Sequence, residues 1–394
     1  MSERSEERPS SRLPRQVVVM GWISFLADVG AELAYPVLPF LLTGPLQAPK
    51  AALGLVEGTA QLVISLSTWW AGTASDRTRR VPFIRIGYAF PTLARAAIAF
   101  APSWLWVLGA RTVDRVGKGM RTSPRDALLG DLVHPSQRGH AFGFHRAMDN
   151  GGSFVGALLA AAILWWFAAR SEFALRSAFL VSAVLGLAAV ALTFALREAP
   201  RPATENAATA RVPLPKAYWR GLSILVLFAL ANSSDAFVLL RGAELGLAPW
   251  QVALAYAGFS AILSVVSTPL GRLSDRIGRW PIIATGVALY ALSYTGFALA
   301  STTAAFLATF ALYALSTGCT DGVRRALVVD HLPATERGRG LGIMHASVGV
   351  ASLGSSLAAG VLWDRYGAAS AFWLGAGIAA LALIAILARA PSER

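Results

Sequence analysis

Twelve stretches of about twenty mostly apolar residues divide this chain, at 17–42, 52–74, 82–100, 103–132, 139–168, 173–197, 218–241, 249–272, 280–299, 303–331, 338–363 and 368–390. Each is long enough to cross the roughly 30 Å hydrocarbon layer of a bilayer as an α-helix. In that layer no water satisfies backbone N–H and C=O groups, so each stretch must satisfy its own. The expected fold class is therefore an all-α membrane protein with twelve transmembrane helices. Charge content agrees: 14% of residues are charged, against about 25% in soluble domains.

The sixth and seventh stretches are separated by REAPRPATENAATARVPLPKAYWR, rich in Pro, Ala and charge, which reads as a linker. The expected organisation is a tail at 1–16, a six-helix bundle at 17–197, a linker at 198–217 and a second bundle at 218–390. The first fifteen residues are polar and of mixed charge, a cytoplasmic tail and not a signal peptide.

With an even number of crossings, both termini share one side. That side carries Arg77, Arg79, Arg80, Arg138, Arg276, Arg279, Arg337 and Arg339, whereas the opposite loops hold little beyond Lys50, Arg170, Arg241 and Arg365. The positive-inside rule then makes both termini cytoplasmic. The net charge of +13 lies between spans and points to anionic lipid. It does not point to nucleic acid, because no soluble module carries a basic stripe.

Several chemistries are excluded. The single Cys319 forms no internal disulfide or thiolate metal site, and the five histidines show no HExxH-like cluster. No G-x-x-x-x-G-K-[ST] loop is present, hence no ATP-driven step. No metal or cofactor is expected, and the chain is not read as an enzyme.

The two halves repeat. GTASDRTRRVP from Gly72 returns as GRLSDRIGRWP from Gly271, an offset of 199 residues that also pairs Arg125 with Arg324, Asp131 with Asp330 and Gly143 with Gly342. Repeats of this kind place a substrate site at their interface near the bilayer midplane.

These residues resemble the major facilitator superfamily over essentially the whole chain. Its loop signature, G-x-x-x-D-R-x-G-R-[RK], appears as Gly271, Asp275, Arg276, Gly278 and Arg279, and as Gly72, Asp76, Arg77 and Arg80 with Arg79 in the glycine's place. The resemblance implies two pseudo-symmetric bundles and a cytoplasmic gate that breaks and reforms during alternating access. Physically, Gly72 and Gly271 would let helices approach closely, and Asp76 and Asp275 would cap a helix or pair with Arg. A static positive-inside anchor is the plainer alternative. The stretch from Arg121 to Gly152 is also similar to bacterial exporters of the superfamily, although Ala157 replaces their proline after Gly152 and Gly156, and acidic residues in the first span with arginine in the fourth resemble its proton-coupled exporters.

Ionisable residues at bilayer depth cost about 2.5–3.5 kcal/mol each and ask for a partner or a wet cavity. Asp28 and Glu32 share a face of the first span. In the fourth, Arg111, Arg115, Lys118, Arg121 and Arg125 form one cationic stripe, with Asp114 placed to pair with Lys118 and Pro124 to kink or end the helix before Arg125. The fifth brings His145, Arg146 and Asp149, and the second half offers Asp235, Asp321, Arg324, Arg325 and His345. At the repeat's offset of 199, Lys118 becomes Thr317 and Asp149 becomes Val348, so buried charge concentrates in the first half.

Two readings stay open. Asp28, Glu32 or Asp149 titrates while Arg115 and Lys118 meet substrate or release the proton, or the set is a fixed salt-bridge network. Lesser features take bland readings: Glu57 as a helix-end charge, Arg85 and Arg95 snorkelling to the interface, and Phe142, Phe144, Tyr256 and Tyr290 as packing. The expectation is alternating-access, proton-coupled export of a small organic solute by a monomer in lipid. Uptake of an organic anion is the alternative, and a non-transporting sensor or scaffold is the alternative of another class.

Overall fold

The computed structural model describes residues 13–75, 78–134, 137–198, 212–333 and 336–389. Among the described residues, fifteen α-helices build the twelve spanning units. The first half runs α1 (Arg15–Ala34), α2 (Leu38–Thr43), α3 (Lys50–Ser75), α4 (Arg80–Ala99), α5 (Trp104–Asp131), α6 (Arg138–Trp166) and α7 (Ser171–Thr193). The second runs α8 (Lys216–Ala231), α9 (Asp235–Glu244), α10 (Pro249–Ile277), α11 (Arg279–Leu299), α12 (Thr303–Thr320), α13 (Val323–Asp330), α14 (Arg337–Tyr366) and α15 (Ala368–Arg389).

Three expected spans are broken in two. Between α1 and α2, Pro36 has no N–H to donate, and the chain turns at 35–37 although Tyr35 keeps helical φ −62° and ψ −53°. Between α8 and α9, Asn232 Oδ1 accepts from the Tyr290 hydroxyl at 3.5 Å, Ser233 Oγ meets the Tyr294 hydroxyl at 3.2 Å, and Ser234 Oγ accepts from Ala236 N at 3.3 Å as the cap of α9. Asp321 and Gly322 separate α12 from α13. Pro124, by contrast, lies inside α5, which continues to Asp131, so it does not end the helix. Helix α10 runs past the expected residue 272 to Ile277, so Asp275 and Arg276 are helical.

Ten of the units are long and apolar enough to cross a membrane. The other two, α4 and α5, have 20 and 28 residues but carry Arg80, Arg85 and Arg95 and the cationic stripe. They pack lengthwise against each other and are shielded by α3 and α7.

The repeat is visible in the packing. A Cβ at Gly87 would press on Arg121 and Gly117, and one at Gly286 on Thr320, Cys319 and Ser316, positions related by the same offset. Arg80 pairs with Asp131 at 2.8 Å and its counterpart Arg279 with Asp330 at 3.0 Å. One turn differs: Gly278 takes φ 93°, open to glycine, whereas Arg79 in the matching place is extended at φ −70°.

The halves meet where α3 lies along α14 and α6 along α10. At one end this seam is tight. A Cβ at Gly54 would strike the Ser356 carbonyl, and one at Gly360 the Lys50 carbonyl. Asp364 of α14 accepts hydrogen bonds from Lys50 N at 2.9 Å and Ala51 N at 2.8 Å, capping α3 across the interface. Nearby α2 packs on α9, and Trp363 Nε1 donates to Glu244 at 2.9 Å.

Candidate functional site

Between the halves lies a cavity of about 880 Å³, large enough for a drug-sized solute. Its accessibility runs in one direction. Asp28 and Asp149 keep 18% and 13% side-chain exposure, whereas Asp126 and Asp321 reach 48% and 49%. The cavity is thus sealed at the α2–α9 end and meets solvent at the end where α1 begins.

The sealed end is a charge network. Tyr35 and Ser234, at the two matching helix breaks, stand 3.5 Å apart at their hydroxyls, and Ser234 Oγ reaches Glu57 at 3.5 Å. Arg111 holds Glu57 at 2.9 Å, lies 5.8 Å from the Tyr35 ring centre, and reaches Asp114 at 3.4 Å. Asp114 also faces Arg95 at 3.5 Å and Arg115 at 3.4 Å. Burial of these charges is tolerable because each has an opposite neighbour.

Three expectations are corrected here. Glu57 is buried and ion-paired, not a helix-end charge. Arg95 is buried against Asp114 and does not snorkel, since a carboxylate stands within reach inside the bundle. Asp114 serves Arg95, Arg111 and Arg115, not Lys118. Arg111 and Asp114 therefore sit behind the cavity wall, while Arg115 and Lys118 line it.

The middle of the cavity contrasts the halves. On the first, Arg121 approaches Asp28 at 3.6 Å and lies 4.1 Å over the Tyr88 ring centre. Gly152 and Gly156 let α6 press against α1 at Phe25 and Val29, which brings Asp149 into the same wall. Asp149 faces His145 at 3.5 Å and Arg125 at 4.0 Å, and Ser24 links His145 at 2.9 Å with Tyr88 at 3.1 Å. Arg125 also holds Asp126 at 2.9 Å.

On the second half the wall is aromatic. Tyr256, Tyr290, Tyr313 and Phe228 line it, backed by Phe259, whose ring stacks on Tyr256 and Tyr313 at 5.9 and 5.6 Å. Thr317 and Val348 face the cavity where the first half has Lys118 and Asp149. Two carboxylates meet tyrosines here: Tyr256 donates to Glu32 at 2.8 Å across the halves, and Tyr313 to Asp235 at 2.5 Å. Neither Glu32 nor Asp235 has an ion pair among the described residues. Phe142 lines the cavity, whereas Phe144 instead packs over Gly21.

At the solvent end, Asp321 pairs with Arg324 at 3.0 Å, and Arg146, Arg325 and His345 complete the lining. Beyond it lie the loop signatures. Arg279 bonds to Asp330, to Ser274 Oγ at 2.8 Å and to Asp275. Arg276 is exposed, without an ion pair among the described residues. Gly72 approaches Ser123, but Gly271 has open space, so close helix contact holds for one glycine only. Asp76 and Arg77 lie outside the described residues. No group of three His, Cys, Asp or Glu residues among those described is placed to hold a metal ion.

The sequence reading missed Tyr35, Ser234 and Tyr313 as parts of the site. Pro36 and the shared offset of Tyr35 and Ser234 were the available signals.

Two repeated six-helix units closing on a polar, solute-sized cavity define a membrane transport protein. The family model described as Major Facilitator Superfamily matches residues 20–240 and again 221–394, and the chain belongs to that superfamily. An uncharacterized MFS-type transporter of the archaeon Methanocaldococcus jannaschii is 30% identical, the match covering 89% of each chain. The quinolone resistance protein NorA of Staphylococcus aureus is 22% identical over 64% of this chain and 66% of its own. Among solved structures, the nucleoside transporter NupG superposes with a TM-score of 0.79 over 95% of this chain and 99% of its own. At 13% identity that likeness concerns the fold alone.

Proposed function

We propose that this protein is a proton-coupled secondary transporter that exports a small organic solute across a bacterial inner membrane by alternating access. The observation that carries the reading is the pair Glu32 and Asp235. Both are carboxylates at membrane depth on the wall of a cavity that reaches solvent, and each is held by one tyrosine hydroxyl with no cation within ion-pair range among the described residues. Acids without an ion pair in such a place are open to a cationic group or a proton brought into the cavity. If proton and solute exclude each other at the same acids, movement of one is tied to movement of the other. Asp28 and Asp149, already facing Arg121, Arg125 and His145, pass the proton between the cavity and this pair.

The halves at 17–197 and 218–390 rock about the cavity, joined by the linker at 198–217. The positive-inside rule applied to the arginine-rich end supports cytoplasmic termini, and on that reading the solvent-reaching end is cytoplasmic and this state inward-open. Arg80–Asp131 and Arg279–Asp330, with Asp76 and Asp275, form the cytoplasmic gate. Residues of both halves line the cavity, which supports the monomer as the transporting unit, and its basic end meets anionic lipid. The name of NorA supports export.

Uptake of an organic anion draws on the cationic stripe, but Arg111, Arg115, Arg121 and Arg125 each have a carboxylate within 4.0 Å. Cells expressing the protein separate the two readings. Export raises resistance to a toxic solute; accumulation of a labelled anion with no gain in resistance would refute export.

A further inference from the structure

Two acids and one cation on the cavity wall stand outside its direct ion pairs among the described residues. Among the carboxylates, Asp28 has Arg121, Glu57 has Arg111, Asp126 and Asp149 have Arg125, and Asp321 has Arg324. Glu32 and Asp235 have tyrosine hydroxyls only. Along α5, Lys118 is the one member of the stripe with no carboxylate within 4.0 Å among the described residues, and Asp28 and Glu32 act on it only from farther off. Arg146 and Arg325 also lack one, but both are exposed and water answers them.

The spacing of these groups is set by the helices. Arg111 lies over the Tyr35 ring, level with the break that carries Asp235. Lys118 follows seven residues later, about 10 Å along the axis at roughly 1.5 Å per residue, and its side chain leans back towards the α5 N-terminus. Tyr256, Tyr290 and Tyr313 line the wall beside the two acids. Their ring faces attract a cation and pack against a flat apolar body.

We infer that the solute is amphoteric: a protonated amine that takes Glu32 and Asp235, an anionic group that takes Lys118, and a flat apolar body between them against the tyrosines. This inference rests on the transport reading and narrows it. A solute of that kind returns a counter-charge to each unmatched group at once. A simple cation leaves Lys118 unanswered, and a simple anion leaves both acids so. The distinction resides in residues from both halves, Lys118 on α5, Glu32 on α1 and Asp235 on α9.

The test uses the purified full chain in detergent at neutral pH and reads the apparent unfolding temperature, which a ligand of the native state raises. The probes are 4-(aminomethyl)benzoate, benzylamine and 4-methylbenzoate, which share a ring and differ in charge. The expected result is stabilisation by 4-(aminomethyl)benzoate at concentrations about tenfold below those needed for either single-charge probe. Lys118→Gln reduces it to the level of benzylamine. Asp235→Asn, or Glu32→Gln should that variant not fold, reduces it to the level of 4-methylbenzoate. Equal stabilisation by a single-charge probe, an unchanged order in both variants, or no stabilisation by any probe would overturn the inference. Proton release on binding, followed with a pH dye, addresses the transport reading separately: binding without release contradicts proton exchange while the solute class stands.

Discussion

Tyr35 and Ser234 are separated by 199 residues, the offset that relates the two halves, and their hydroxyls stand 3.5 Å apart. A residue meets its own counterpart only close to a pseudo-twofold axis, so the axis passes through this contact. Both residues sit at helix breaks, which frees their side chains to meet where continuous helices would diverge. The sealed end of the cavity is built around that point.

The seal rests on few polar contacts. Asp364→Asn replaces a charged acceptor of two backbone N–H groups, interactions of about 1.5–3 kcal/mol when charged. The expected outcome is a several-fold rise in labelling of a cysteine placed near Ser356 by an impermeant maleimide from the α2–α9 side. The native Cys319 is buried, which keeps the background low. An unchanged rate would mean that the cap does not hold the seal.

Backbone proximity makes two glycines irreplaceable for closure. Gly54→Val meets the Ser356 carbonyl, and Gly360→Val the Lys50 carbonyl. Each should reduce transport at least about tenfold, since a β-branched side chain forces the helices apart. Gly354→Ala, with open space around it, is the control and should transport normally. Comparable losses in all three variants would point to a folding defect instead of failed closure.

The buried network predicts a stability effect. Three arginines, Arg95, Arg111 and Arg115, share Glu57 and Asp114. Glu57→Gln leaves Arg111 with less compensation and should cost about 3–5 kcal/mol, read as lower unfolding temperature and yield. Joining it to Arg111→Met should cost less than the sum of the single changes. Additive costs would show that the two side chains do not act as a pair.

The gate is testable by symmetry. Asp131→Asn and Asp330→Asn remove matching partners of Arg80 and Arg279, so transport should fall in both while membrane insertion is kept. Asp275→Asn removes a second partner of Arg279 and should do the same, and Asp76→Asn, at the matching position of the repeat, should follow by symmetry. Full transport in these variants would leave the signature a static anchor.

Much of this was legible in the sequence because it depends on local composition. Span number, the repeat and the stripe follow from apolar length and periodicity within one helix. The breaks at Tyr35 and Ser234 were less visible, since a single proline or a short Asn-Ser-Ser run inside an apolar stretch leaves the average composition unchanged. Glu57 and Arg95 were misread for a different reason. Their partners, Arg111 and Asp114, lie on another helix, and no spacing along α3 or α4 reports who faces whom. The same applies to Lys118, whose neighbour in sequence, Asp114, is already shared by three arginines.

Coupled transport rests on proton exchange at Glu32 and Asp235. Proteoliposomes carrying a pH-sensitive dye, given an imposed pH gradient and a solute that stabilises the purified protein, measure it directly. Wild type should dissipate the gradient only when solute is added, and Glu32→Gln combined with Asp235→Asn should abolish that response. Solute-driven proton movement that persists undiminished in the double variant would contradict the account.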